Sequence, residues 1–169
     1  TSKGVDKLTK TKLHKHIKKI HPEIYRVPLF RRQFCKMLLD EIEQMKDHIG
    51  FSPNQDEDEL RQIPEIVLKE HVPEIYRNMW FIVHTVLNPI FLAIWQRQVS
   101  HISVVVPLNT GKYKGGGTEF HNYGKVDPLP SGHALIFPSF THMHRGLPVE
   151  SGDRYLLVFW LYARNRIQD

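Results

Sequence analysis

The stretch HISVVVPLN, residues 101–109, begins the part of the chain that decides the fold. It is a β-branched run of the kind that forms strands, and three further apolar runs follow it, each bounded by Gly, Pro, Asn or Asp. These runs are KGGGTEF at 114–120, SGHALIFPSF at 131–140 and DRYLLVFWLYAR at 153–164. Short strands at this spacing predict a β-sandwich or a small barrel.

The residues before the first of these runs predict one strand and then a helix. HPEIYRVPLF, residues 21–30, contains β-branched residues and a proline, which predicts a strand ending near Pro28. In RRQFCKMLLDEIEQMKDHIG, residues 31–50, apolar side chains recur three or four positions apart. We therefore expect a helix with Gly50 as its stop.

Two further elements are predicted before residue 101. A short run between Pro64 and Pro73 could form a strand. From Tyr76 to Trp95 apolar residues return at helical spacing, which predicts a second, buried helix with a kink at Pro89. This segment is too short and too interrupted for a comfortable membrane span, so we predict none.

Composition predicts a single domain with a basic arm. The chain has 169 residues, 41% of them apolar, and its one cysteine, Cys35, can form no internal disulfide. The first twenty residues hold seven lysines and one aspartate, which is a net charge of +6. The whole chain has a net charge of +5, so the other residues together carry −1. We predict a basic N-terminal arm over residues 1–20 and one domain over residues 21–169. A solvated arm or a leading helix is favoured over nucleic-acid contact, because no arginine and aromatic interleaving supports base stacking.

The motif THMHRGLPVESGDRY, residues 141–155, carries the chemistry. His144 and Arg154 lie ten positions apart, a spacing that suits a hairpin-like return with both side chains in one cavity. An imidazole can bind ferrous iron, and a guanidinium fork can grip the far carboxylate of an α-keto acid in bidentate fashion. His144 is favoured over His142 as the ligand, because Gly-Leu-Pro after His144 fixes the register.

YKGGGTEFHNYGKVDPLPSGHALIFPSFTHMHRGLPVESGDRYLLVFWL, residues 113–161, resembles the end of the catalytic domain of the procollagen lysyl hydroxylases, in the Fe(II)- and 2-oxoglutarate-dependent dioxygenase superfamily. The similarity covers roughly Ile24 to Tyr162. It implies an α+β fold, a double-stranded β-helix (jelly-roll) barrel with two or more supporting N-terminal helices. It also implies that His144 is the distal iron ligand and Arg154 the 2-oxoglutarate anchor. Asn109 could hydrogen-bond in the same pocket, or be only a turn residue.

The resemblance implies a function as well. It indicates an enzyme that uses Fe(II), 2-oxoglutarate and ascorbate to hydroxylate a protein side chain, with peptidyl lysine, in a collagen-like sequence, as the best candidate. It also implies a homodimer and residence in the endoplasmic reticulum, although one cysteine equally fits the cytoplasm or nucleus. The alternatives are a binding module without metal, or an oxygenase acting on another side chain or on nucleic acid.

The family's His-x-Asp pair, which supplies two of three iron ligands, is absent from this sequence. Counted back from Asn109, Gln96 and Gln98 occupy the corresponding positions, which would describe a degenerate site. Alternatively, the sequence joins segments across omitted stretches near 51–62 and 95–101. The two hypotheses predict different Cα separations between Ser100 and His101, since a real peptide bond requires about 3.8 Å.

Overall fold

The computed structural model describes residues 16–49, 52–53, 64–95 and 101–162. The strands are β1 (Lys18–His21), β2 (Ile24–Pro28), β3 (Ser52–Pro53), β4 (Pro64–Glu65), β5 (His101–Pro107), β6 (Lys114–Gly115), β7 (Thr118–Phe120), β8 (Gly124–Val126), β9 (His133–Pro138), β10 (His144–Gly146), β11 (Val149–Ser151) and β12 (Leu156–Tyr162). The helices are α1 (Arg32–Ile49), α2 (Leu68–His71), α3 (Pro73–Ile82) and α4 (Asn88–Ile94), with a π-helical turn over Val83–Leu87 between the last two.

The chain forms two compact units. The first comprises Thr1–Leu39 with Trp95–Asp169, and the second is Asp40–Ile94. The predicted boundary between residues 20 and 21 stays a prediction, although β1 takes Lys18, Lys19 and Ile20 from the segment predicted as an arm.

The first unit is built on a five-stranded sheet in the order β1-β2-β9-β5-β12, in which all neighbours are antiparallel. A three-stranded sheet has the order β10-β7-β8, and β11 pairs with β6. Phe120 of the three-stranded sheet meets Phe137 of the five-stranded sheet edge to face, with ring centroids 4.9 Å apart. Both rings are fully buried, together with Ile24, so the two sheets share one apolar core.

The described chain is therefore a mixed α and β structure with antiparallel sheets, which is compatible with a β-sandwich. The finer assignment to a jelly-roll stays a proposal. The predicted strand ending near Pro28 is confirmed, as are the three longest strands after residue 100, β5, β9 and β12. The predicted first helix is confirmed as α1, which ends at Ile49. Gly50, its expected stop, lies outside the described residues.

The expected strand between Pro64 and Pro73 is wrong. Only Pro64–Glu65 is extended, and Leu68–His71 forms a helical turn. The next helix begins at Pro73 rather than at Tyr76. The physical reason is that proline suits the first turn of a helix, where its missing N–H would have no partner anyway.

The second helix differs from its prediction in two ways. Its irregularity precedes Pro89: the Asn88 N–H bonds to the Val83 carbonyl, five residues back, and so forms the π turn. Pro89 has no N–H to restore the α-helical ladder immediately after it. The helix is also buried on only part of its surface, because Phe81 and Leu92 are 67% and 72% exposed. Among the described residues, no helix combines the length and apolarity that crossing a membrane requires.

One histidine in the large sheet makes stability depend on pH. His133 accepts a hydrogen bond at Nδ1 from Arg26 Nε, 3.0 Å away. Burial first, and then the charge of Arg26, lower the pKa of His133 below its usual 6.5. The unfolded chain therefore takes up this proton at a higher pH than the native chain, so the free energy of unfolding falls as pH drops below 6.5.

We expect the His133→Asn variant, which cannot titrate but can still accept from Arg26, to lose this part of the pH dependence. Thermal melts of both proteins across that pH range would measure it. Identical slopes in the two proteins would contradict the assignment.

Candidate active site

A pocket opens in the first unit beside the start of β12. The pocket is an open cleft, and its empty space of about 330 Å³ includes open solvent. Apolar side chains form most of the wall: Val105, Pro107, Leu129, Leu135 and Leu156. The polar lining includes Arg154, Tyr113 and Thr118. A mostly apolar cavity with one guanidinium suits a small anion that has an apolar middle.

Arg154 lies just before β12 and is half-buried. Its Nη1 donates to the Gly117 carbonyl at 3.3 Å. A Cβ added at Gly116 would stand 2.9 Å from Nη1, and one added at Gly146 would stand 3.3 Å from Nη2. The guanidinium therefore lies against glycine backbone that leaves room for it.

Asn109 uses both ends of its side-chain amide on backbone groups. Its Nδ2 donates to the Asp153 carbonyl at 2.8 Å, and its Oδ1 accepts from the Tyr155 N–H at 3.0 Å. Both partners are backbone groups on either side of Arg154. The role of Asn109 as a residue that contacts cosubstrate stays a proposal.

His144 begins β10, where it stands opposite Phe120. Its Nδ1 lies 2.8 Å from the His142 carbonyl, and because a carbonyl can only accept, Nδ1 carries the proton. In the neutral ring Nε2 then has the lone pair, and no other described residue contacts Nε2 by a hydrogen bond. The ring rests edge-on against Phe137, 4.5 Å between centroids. Histidine ligands commonly hold their second nitrogen in this way, so His144 fits a metal ligand.

His142 is placed differently and is almost fully buried. Its Nε2 donates to the Pro22 carbonyl at 3.1 Å, and its Nδ1 lies 3.0 Å from the Thr141 hydroxyl. The ring also stacks on Tyr123, which in turn stacks on His21. Both nitrogens of His142 are therefore used inside the protein, and His144 is the better ligand candidate of the two.

We expect substitutions of the two histidines to affect stability unequally. His142→Leu removes two hydrogen bonds and a stacked ring from a buried position, which should cost about 1–3 kcal/mol. His144→Ala removes an exposed side chain and should stay within about 0.5 kcal/mol of the original. Thermal unfolding followed by circular dichroism would compare them, at about 2–4 °C per kcal/mol. Equal losses would mean that His144 is structural as well.

The structure brings His144 and Arg154 to the same side of β10. His144 and Gly146 are two residues apart in that strand, so they face the same way, and the guanidinium approaches Gly146. The two residues are not joined by a hairpin, since β10 pairs with β7 and β12 pairs with β5. The predicted hairpin between these two residues is not formed, because the intervening strand β11 pairs with β6.

A complete iron site is not formed by the residues that the structure describes. Across 16–49, 52–53, 64–95 and 101–162, no three His, Cys, Asp or Glu side chains are grouped as a metal site would need. Gln96, Gln98 and Ser100 lie outside the described residues, as does most of the acidic segment at 51–62. The described donor set thus fits one iron ligand and a carboxylate anchor, and it does not fit iron on its own.

Sequence reasoning missed two parts of the site. Gly146 lies under the guanidinium, but in the sequence it is one glycine of a turn-like motif. The Pro22 carbonyl holds His142 from 120 residues away, and no local pattern announces such a contact. The triple glycine at 115–117 indicated a close approach to the backbone, and all three glycines have positive φ, but it did not point to Gly146 or to Pro22.

No family model matches the chain. It is 24% identical over 175 positions to a multifunctional procollagen lysine hydroxylase and glycosyltransferase of Caenorhabditis elegans, which covers 83% of this chain and 24% of the relative. It is 27% identical over 176 positions to a rat protein of the same description, covering 81% of this chain and 23% of that protein. A PKHD-type hydroxylase of Hyphomonas neptunium is 40% identical over 53 residues, 30% of this chain and 23% of that protein.

Two facts limit and inform these similarities. The chain spans about a quarter of the length of the procollagen relatives. The 175 aligned positions contain only 83% of the chain's 169 residues, about 140, so the worm protein has a residue at about 35 positions where this chain has a gap. The relatives share the description hydroxylase. The distant similarity therefore supports a hydroxylase-type enzyme at family level.

Proposed function

We propose that this chain is the barrel portion of a 2-oxoglutarate- and Fe(II)-dependent dioxygenase that hydroxylates a protein side chain, with peptidyl lysine as the first candidate. The observation that carries the proposal is the shared orientation of His144 and Arg154 on one side of β10. One provides an imidazole with its Nε2 lone pair available, and the other provides a guanidinium in an apolar pocket.

The pocket supports 2-oxoglutarate as the cosubstrate. Its guanidinium can take a carboxylate in bidentate fashion, and the apolar wall suits the methylene groups of a dicarboxylic acid. Asp127 also lines the pocket, but its carboxylate lies 3.1 Å from Lys125 Nζ. This ion pair reduces the repulsion that an entering anion would meet.

The proposed substrate follows from the relatives' descriptions, which name procollagen lysine. Ascorbate as reductant and a homodimer as the assembly belong to the same proposal. A collagen-like peptide with lysine is therefore the first substrate to test, followed by peptides with other side chains and by nucleic acid.

A second candidate function is a binding module that retains the barrel without the metal. It is favoured by the lack of a three-ligand cluster within the described ranges. In this case the pocket would still bind a carboxylate, but no oxidation would follow.

The deciding experiment uses protein that contains every encoded residue, including any segment omitted near 51–62 and 95–101, with Fe(II), ascorbate and 2-oxoglutarate, and with and without lysyl peptides of collagen-like sequence. We expect succinate and a peptide that gains one oxygen by mass spectrometry, and loss of both in His144→Ala. If 2-oxoglutarate binds but no succinate forms above background, the enzyme hypothesis is rejected in favour of the binding module. Succinate with no lysyl product would redirect the search to another substrate class.

A further inference from the structure

We propose that Asn109 is a positioning residue, which fixes the backbone around Arg154 so that the guanidinium is held ready for a carboxylate. This inference rests on the proposed function, because the carboxylate is taken to be that of 2-oxoglutarate. Asn109 acts here through Arg154 rather than by touching the ligand.

The first support is a two-point clamp on the segment that carries Arg154. Residues 153–155 precede β12 and lie outside its strand ladder. The Asn109 side chain meets this segment at the Asp153 carbonyl and the Tyr155 N–H. A side-chain amide has the same donor and acceptor as a peptide group, so it extends the sheet's hydrogen bonding by one step. The Leu108 N–H adds a third bond, to the Tyr155 carbonyl at 2.9 Å.

The second support is the place that the guanidinium occupies. Nη1 donates to the Gly117 carbonyl at 3.3 Å, and a Cβ at Gly116 or Gly146 would lie 2.9 or 3.3 Å from a terminal nitrogen. The guanidinium therefore lies in the space that the missing side chains of these two glycines leave, and it reaches this space only from the present position of the Arg154 backbone. Fixing the Cα is therefore an effective way to fix the charged group.

The third support is the remaining bonding capacity of Arg154. A guanidinium has five N–H donors. In the described part of the chain Arg154 makes one hydrogen bond, to the Gly117 carbonyl, and this bond uses one of the five. The pocket's own carboxylate, Asp127, is bound by Lys125. The other donors can therefore serve a ligand, and an anchor ordered in advance binds more tightly because less side-chain freedom is lost.

The test measures binding of glutarate, a dicarboxylate without the keto group, to metal-free full chain by NMR titration. Asn109→Ala should raise the Kd of glutarate roughly 2- to 12-fold, which corresponds to ordering one side chain. The matched control is Thr110→Val, which removes a neighbouring 2.6 Å hydrogen bond to the Leu129 carbonyl and leaves 153–155 untouched. Thr110→Val should change the Kd less than about twofold.

A double-mutant cycle then separates positioning from contact. In an Arg154→Ala background, Asn109→Ala should have almost no further effect on the Kd, because its effect passes through the guanidinium. An undiminished effect in that background would overturn the inference, and so would an equal effect of Thr110→Val.

A measurement without ligand keeps the inference distinct from the proposed function. The Arg154 Nε–Hε signal should show a rigid side chain in the original protein and in Thr110→Val, and a mobile one in Asn109→Ala. A rigid Arg154 in Asn109→Ala would refute the clamp even if 2-oxoglutarate binds. Absence of glutarate and 2-oxoglutarate binding by the original protein, with the clamp intact, would instead refute the proposed function.

Discussion

Arg154→Ala should weaken 2-oxoglutarate binding by roughly 10- to 150-fold, the largest effect that we expect from any single side chain of the pocket. The range corresponds to losing a hydrogen bond to a charged group, and the ligand carboxylate would keep no cationic partner in an apolar cavity. Arg154→Lys should recover only part of the affinity, because an ammonium group keeps the charge but cannot form two parallel bonds to one carboxylate. Isothermal titration with 2-oxoglutarate would measure both.

The control for this prediction is Arg145→Ala. Arg145 also lies on β10, directly after His144, but its side chain is 74% exposed and forms an ion pair with Glu119 on the neighbouring strand β7. The Arg145→Ala variant removes the same charge as Arg154→Ala, but it does so on the face of β10 opposite to the one that carries His144. We expect less than about a twofold change, since exposed ion pairs contribute little. If Arg154→Ala and Arg145→Ala weaken binding alike, net charge rather than a specific anchor attracts the anion.

Gly132→Ala should destabilise the protein by about 3–4 kcal/mol, a large share of the stability of an ordinary domain. An alanine Cβ at this position would stand 2.2 Å from the Phe30 carbonyl oxygen, and the residue has a φ of +83°. The left-handed backbone costs about 1–2 kcal/mol for an L residue. Moving Phe30 would also weaken the bonds that its N–H and the Leu29 N–H donate to the Gly132 carbonyl, at about 1 kcal/mol each.

The Gly111→Ala variant separates the cost of the left-handed backbone from the cost of the clash with Phe30. Gly111 has a φ of +93° but nothing within 4 Å of an added Cβ, so only the backbone strain of about 1–2 kcal/mol should appear. Urea unfolding of both variants gives the comparison. Equal losses would mean that the Phe30 carbonyl moves aside freely and that the clash has no cost.

The strands and the first helix could be predicted because their patterns are local. Val27 and Pro28 end a β-branched run, and the apolar spacing around Leu38 is that of a helix packed on one side. The strand predicted after Pro64 was wrong because a short apolar segment fits a strand and a helical turn equally well. Only the packing around it decides between them.

A motif that fixes the register allowed a preference between two candidate histidines, whereas contacts between distant parts of the chain could not be predicted. The Gly-Leu-Pro that follows His144 distinguished it from His142, and the hydrogen bonds of the two rings agree with that preference. Asn109 could be named as a candidate, but its hydrogen-bond partners lie 44 and 46 residues further along the chain. A side-chain amide can bond ligand or backbone equally well, so sequence alone could not choose between them.

The order of strands in the large sheet also determines when the protein can fold. β2 lies between β1 and β9, and the Arg26 to His133 bond joins residues 107 positions apart. At about 5–20 residues per second, β2 leaves the ribosome roughly 5–20 s before the strand that it must pair with. β2 can pair with β1 at once, but its other edge stays unpaired until β9 emerges, and pairing between such distant residues is slow to form. Slower translation would lengthen that period, so the yield of native protein in cells should depend on chaperones that shield β2 until β9 emerges.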